Sequence, residues 1–308
     1  MATELRKSAN ACRNVLAAAF LLAATAYPAM AQDQFFNSNG VQVRYVEKGK
    51  GEPIVLVHGY TSNLDAGWMD TGVFENLAKT NHVIAFDNRG HGKSGKPHDP
   101  KAYGTEMSED VVRLMDHLHL RRAHIVGYSM GAGIVARLLT LHPDRFLTAT
   151  LGGGAGSNSA DLPDDSALEA EAAETARGSL RSLILRIAPT DRPPPSDGEV
   201  RQMSQQFIDR GNDPLALAAY ARSRKKLAVS DAQMAAVRVP VLAVVGSLDP
   251  NYARVKHFKT VMPSLKVVVI EGAAHAGATP PLGATRRPEF VNAIREFMVP
   301  RTNGSPSP

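Results

Sequence analysis

Ala123-His124-Ile125-Val126-Gly127-Tyr128-Ser129-Met130-Gly131, continued by Ala132-Gly133-Ile134-Val135-Ala136-Arg137-Leu138-Leu139-Thr140-Leu141, decides the fold. Its first four residues read as a short buried strand, and from Ala132 the apolar positions recur at helical spacing. Between the two periods stands the pentapeptide G-x-S-x-G. A serine at a sharp strand-to-helix turn sits in a backbone conformation with little room around it. Glycines two residues to either side remove the side chains that would collide there. Ser129 is therefore a candidate nucleophile. The plain alternative is a turn that happens to hold a serine, and partners elsewhere in the chain decide between the two.

Outward from this turn, strands and helices alternate. Val41–Val46 alternates polar and apolar residues, as a half-exposed strand does. Pro53–Val57 and Val83–Phe86 are continuous apolar runs, expected of strands buried on both faces. Met107–Leu118 has helical spacing, with Ser108 as candidate N-cap. Leu147–Leu151 is another strand and ends in three glycines. From about 155 to 235 the strand pattern stops and the chain is acidic, then helical, with Pro193-Pro194-Pro195 in the middle. Strands return at Val239–Val245 and Leu265–Ile270, and a last helix spans Pro288–Met298. The alternation predicts a mostly parallel sheet with helices on both faces. The interruption predicts a helical cap inserted into one domain. The expected organisation is a leader over 1–31, core over 32–154, cap over 155–235, core over 236–300 and a disordered tail over 301–308.

The leader reading rests on Arg6, Lys7 and Arg13, an apolar run from Val15 to Ala26, and the small-x-small site Ala29-Met30-Ala31. That run is too short for a bilayer span, which needs roughly 20 residues. A cleaved, exported protein, periplasmic or extracellular and without a stable membrane anchor, is expected. The single cysteine, Cys12, falls in the leader, so the mature chain would hold no disulfide and no thiolate. Removing Glu4, Arg6, Lys7 and Arg13 takes the formal charge from +5 to about +3. That balance gives no nucleic-acid footprint. The one basic run, Arg222-Ser223-Arg224-Lys225-Lys226, reads as a solvated helix face or end. Oligomeric state is left open.

A serine hydroxyl needs a base within hydrogen-bond reach, and that base needs a carboxylate to fix its tautomer. Asp249, in Gly246-Ser247-Leu248-Asp249-Pro250, follows one late strand. His275, in Glu271-Gly272-Ala273-Ala274-His275, follows the next. Both stand just beyond the C-terminal end of a buried strand, where open parallel sheets bind ligands. Backbone N–H groups of Met130 and Tyr60 are the expected oxyanion donors. His58, Gly59, Trp68 and Tyr128 are candidate pocket residues, although His58 reads chiefly as holding its loop. No metal-ligand cluster or phosphate loop competes, so neither a metal nor another cofactor is expected. His117 and His119 are two apart on a predicted helix and point in different directions.

Taken together, Val57-His58-Gly59-Tyr60, Phe86-Asp87-Asn88-Arg89-Gly90-His91-Gly92-Lys93-Ser94, Gly127-Tyr128-Ser129-Met130-Gly131, Gly246-Ser247-Leu248-Asp249 and Ala273-Ala274-His275 resemble the α/β-hydrolase family. The resemblance covers nearly all of the chain between leader and tail except the cap. It implies an eight-stranded sheet, a cap entering after the sixth strand, Tyr60 and Met130 as oxyanion donors, and a structural role for Asp87–Ser94. Serine at the turn disfavours the aspartate-dependent epoxide hydrolases and haloalkane dehalogenases. Ala132-Gly133 stands where many relatives place a second glycine directly after Gly131. The leading expectation is a serine hydrolase acting on a small-molecule carboxylic ester. Carbon–carbon bond hydrolysis and cofactor-free perhydrolysis or haloperoxidation share the same triad. A lipase is disfavoured by a cap rich in charges. The expectation from another class is a non-catalytic or receptor-like binder on the same fold.

Overall fold

Eight strands form one sheet in the order β1-β2-β4-β3-β5-β6-β7-β8. The computed structural model describes residues 32–156, 162–277 and 281–299. The strands are β1 Gln34–Ser38, β2 Val41–Lys48, β3 Pro53–Val57, β4 His82–Phe86, β5 Ala123–Tyr128, β6 Phe146–Gly152, β7 Val241–Gly246 and β8 Lys266–Ile270. β2 runs antiparallel to β1 and β4, and every other pairing is parallel. The expected leader and tail, 1–31 and 301–308, lie outside the described residues. Among those described, no helix is long and apolar enough to cross a membrane.

The seven strands expected from the sequence are present with boundaries shifted by at most two residues. β1 is the addition. Its sequence, Gln34-Phe35-Phe36-Asn37-Ser38, does not alternate cleanly, yet it pairs with β2 across the turn Asn39-Gly40. Both turn residues have positive φ, 51° and 83°, the two-residue hairpin geometry that Asn-Gly favours. That dipeptide was the available signal. β3, β4, β5 and β7 are apolar and almost wholly buried because helices cover both faces.

Among the described residues ten α-helices accompany the sheet, including α2 Thr105–His117, α3 Met130–Leu141, α9 Tyr252–Val261 and α10 Pro288–Met298. α3 is buried along nearly its whole length, as its all-round apolar sequence requires. α2 starts three residues before the expected Ser108 cap. Gly104 precedes it, and Ser108 is buried in the first turns with its hydroxyl unpartnered among the described residues. His119 lies beyond the helix at φ 55°.

Between β6 and β7 the described residues form five α-helices: α4 Asp165–Ala176, α5 Arg181–Arg186, α6 Asp197–Asp209, α7 Pro214–Ser223 and α8 Asp231–Ala236. α4 packs along α7 through Ala172, Ala218 and Ala221, small residues that allow close approach. In the basic run at the end of α7, Arg222, Lys225 and Lys226 are exposed, as a solvated helix end should be, and Arg224 is the exception. Arg222 pairs with Glu169 at 2.7 Å, Lys225 with Asp165 at 2.6 Å, and Arg224 turns inward onto Glu171 at 2.9 Å. The acidic face of α4 answers the basic end of α7.

Candidate active site

Strand order fixes where the site forms. β3 is followed in sequence by β4 on one side, and β5 flanks β3 on the other, so the chain changes direction across the sheet at β3/β5. A crevice opens beyond the C-terminal strand ends at such a switch point. Val57 and Gly127 are register partners there, which brings the His58-Gly59-Tyr60 loop beside the Ser129 turn.

Ser129 has φ 56° and ψ −112°, a strained conformation for a non-glycine residue. Its N–H donates to Gly152 O at 2.8 Å, so β6 holds the turn from the side. The flanking glycines are sterically required. A Cβ at Gly127 would collide with the Gly131 carbonyl, and one at Gly131 with the Val57 carbonyl.

The structure brings Ser129, His275 and Asp249 together. His275 Nε2 lies 2.9 Å from Ser129 Oγ, and His275 Nδ1 lies 2.7 Å from Asp249 Oδ2. A carboxylate can only accept, so Nδ1 carries the proton and Nε2 accepts from the serine hydroxyl. Asp249 and His275 are 2% and 4% exposed, so water competes little for these bonds.

Among the described residues, the backbone N–H groups of Tyr60 and Met130 donate to nothing. Met130 opens α3, where free N–H groups and the helix dipole favour negative charge. Gly59 sits against the nucleophile turn, and a Cβ there would stand 3.3 Å from Ser129 Cβ.

Of the candidate pocket residues, His58 takes the loop-holding role read for it and Trp68 is placed otherwise than expected. His58 is fully buried and locked: Nδ1 donates to Gly59 O at 2.8 Å, and Nε2 accepts from Asn88 N–H at 3.0 Å. It holds the loop and offers no surface to a ligand. Trp68 lies in a π-helical turn, Asp65–Met69, and is 0% exposed, its large ring taken up by the interior. Tyr128 is half-buried and its ring stands beside that of His275, centroids 5.5 Å apart. Its ring fills the space beside Gly152 and Gly153, stands edge-on to Phe290 at 5.9 Å, and its hydroxyl donates to His275 O at 2.6 Å. It props the histidine loop. Gly59 keeps the expected position beside Ser129.

The Asp87–Ser94 stretch is a turn network. Asp87 Oδ1 accepts from Leu64 N–H at 2.7 Å, Oδ2 accepts from Lys93 N–H at 2.8 Å, and Ser94 Oγ donates to Asp87 O at 2.7 Å. Asn251 was not singled out from the sequence. Its N–H donates to Asp249 Oδ1 at 2.8 Å and its Nδ2 to Gly153 O at 3.1 Å, fastening the aspartate loop to β6. An asparagine two residues after a turn aspartate is a weak local signal for this.

His58 and His91 make a test of this supporting layer. Their rings stand 5.4 Å apart, both fully buried. Burial lowers His58 to about 4. Burial, then the nearby His58, lowers His91 to about 3. Above about pH 6.5, the ordinary histidine value, folded and unfolded chains both keep these rings neutral. As pH falls below that value, the unfolded chain binds protons that the folded chain refuses, so stability falls. The slope is about 1.4 kcal/mol per pH unit for each ring. Urea midpoints measured between pH 7.5 and 5 should therefore drop steadily below 6.5. A flat profile down to pH 5 would show that one or both rings accept protons in the folded state.

The chain belongs to the alpha/beta hydrolase fold family, whose sequence model matches residues 52–277. It is 38% identical over 127 residues to the dihydrolipoyllysine-residue acetyltransferase component of an acetoin cleaving system from Cupriavidus necator. That match spans 40% of this chain and 32% of the relative. It is 33% identical over 132 residues to a 2-hydroxy-6-oxo-6-(2'-aminophenyl)hexa-2,4-dienoic acid hydrolase from Metapseudomonas resinovorans, spanning 40% of this chain and 43% of that protein. The matched region is thus under half the length of either relative. Among solved structures, Est816, described as an N-acyl homoserine lactone degrading enzyme, superposes with a TM-score of 0.65 at 24% identity. That superposition covers 86% of this chain and all of the other. At that identity the likeness shows the fold alone.

Proposed function

We propose that this protein is an exported serine hydrolase that cleaves a carboxylic ester through an acyl-enzyme. The observation that carries the reading is the hydrogen-bonded relay from Ser129 Oγ to His275 Nε2 and from His275 Nδ1 to Asp249 Oδ2. Ser129 attacks the ester carbonyl as His275 takes its proton. The tetrahedral oxyanion lies between the N–H groups of Tyr60 and Met130, donors fixed before the charge develops. His275 then protonates the departing alcohol, and Asp249 stabilises the imidazolium. Water, activated by the same histidine, releases the acid and restores Ser129. The helices between β6 and β7 act as the cap that sizes the pocket.

One of the two relatives is named a dienoic acid hydrolase, and Est816 is described as a lactone degrading enzyme. Lactones are cyclic esters and need no further catalytic group, so they fall within the proposed class. Export rests on the leader pattern over 1–31 and is tested by the N-terminus of secreted protein, which should begin at Gln32.

A panel of p-nitrophenyl esters from acetate to palmitate tests the hydrolase reading. Multiple turnover with a chain-length optimum is the expected result. A single stoichiometric burst, or no release on any ester, would favour a receptor-like binder instead.

A further inference from the structure

We infer that Asn212, in the turn between α6 and α7, is a positioning residue for the oxyanion site, an inference that rests on the ester-hydrolase reading above. Tyr60, whose N–H is one proposed donor, is followed by Thr61 at φ 60°. A β-branched residue is a conformational outlier there, and such backbone persists only where its surroundings enforce it. Within the loop itself the support is slight: Thr61 Oγ1 donates to Tyr60 O at 2.6 Å, and Ser62 N–H to Gly59 O at 3.3 Å.

The remaining hold comes from 150 residues further along the chain. Asn212 Nδ2 donates to Thr61 O at 3.0 Å and also to Phe207 O, in the last turn of α6, at 2.8 Å. Both Asn212 and Thr61 are over nine-tenths buried, so water cannot replace the bond. The next residue, Asp213, caps α7 through Leu215 N–H at 2.8 Å and meets His98 Nε2 at 2.9 Å. Tyr60 adds a second link from the same loop. Its hydroxyl donates to Leu217 O in α7 at 3.0 Å, and its ring packs on Tyr220 with centroids 4.9 Å apart. The α6–α7 joint thus clamps the two residues that aim the Tyr60 N–H at Ser129. The inserted helices shape the catalytic loop from outside the sheet as well as covering it.

A merely structural Asn212 and a positioning one differ in what the variant loses. With p-nitrophenyl butyrate, Asn212→Ala should lower kcat about 10- to 100-fold with KM changed less than about threefold. The affinity of an alkyl trifluoromethyl ketone, which forms a tetrahedral oxyanion on the serine, should fall by the same factor as kcat/KM. Inhibition by butyrate, which forms no such adduct, should hold. Asn212→Asp, which keeps the shape but replaces the Nδ2 donor with an acceptor facing two carbonyls, should lose at least as much, and it carries the test alone if the alanine variant does not fold. Wild-type kcat in both variants, or a raised KM with kcat and ketone affinity intact, would overturn the inference. Either outcome leaves the hydrolase reading standing as long as Ser129→Ala is inactive. An active Ser129→Ala would remove the reading itself.

Discussion

Ser129→Ala is expected to lower kcat for ester hydrolysis by about 10⁴- to 10⁶-fold while the protein stays folded. The size of the effect follows from the geometry. Among the described residues, only Ser129 stands within hydrogen-bond reach of His275 Nε2, and the same turn places it beside Gly59 and the open end of α3. Removing one oxygen takes away the atom that forms the covalent bond and leaves Tyr60, Met130 and His275 in place. Melting temperature and binding of the product acid should be little changed. Residual activity above about a hundredth of wild type would mean that water, activated directly by His275, or another residue performs the attack.

Asp249→Asn is expected to cost about 10⁴-fold in kcat. The substitution keeps shape and packing at a residue that is 2% exposed. It removes the charge that stabilises the imidazolium, and it allows an amide N–H to donate to His275 Nδ1. The ring proton then moves to Nε2 and faces Ser129 Oγ, so the histidine can no longer take the serine proton. Asn251 would sharpen the effect, because its Nδ2 already lies 3.3 Å from the same Nδ1. Once the carboxylate is gone, two amide donors surround that nitrogen. The loss should appear in kcat with KM nearly constant. A loss of less than about tenfold would show that the aspartate orients nothing essential.

The residues named in the central relay were legible in the sequence for a physical reason. Each follows a largely apolar strand, and such strands announce their ends through glycine and turn residues. Gly127, Gly131 and Gly246 all mark backbone approaches too close for a side chain. Side-chain direction beyond those ends was not legible. Tyr128 and Ser129 are neighbours, yet the strained turn sends one towards His275 Nε2 and the other beneath the His275 carbonyl. No periodicity carries across such a turn. Trp68 was misread because a lone large aromatic near a loop fits a pocket wall and a core equally well. β1 escaped because its five residues lack a clean alternation, although Asn39-Gly40 marked the hairpin. Asn212 was invisible for another reason. Its contact with Thr61 depends on how a long insertion folds back, and a Gly-Asn-Asp-Pro sequence signals only a turn and a helix start.

The central claim is that Ser129 becomes covalently acylated. Mass spectrometry of protein quenched in acid during steady hydrolysis of p-nitrophenyl butyrate, followed by peptide mapping, tests it directly. The account predicts up to one butyryl group per chain, carried on Ser129 and absent from Ser129→Ala. An unmodified protein during sustained turnover, or an acyl group on any other residue, would contradict it.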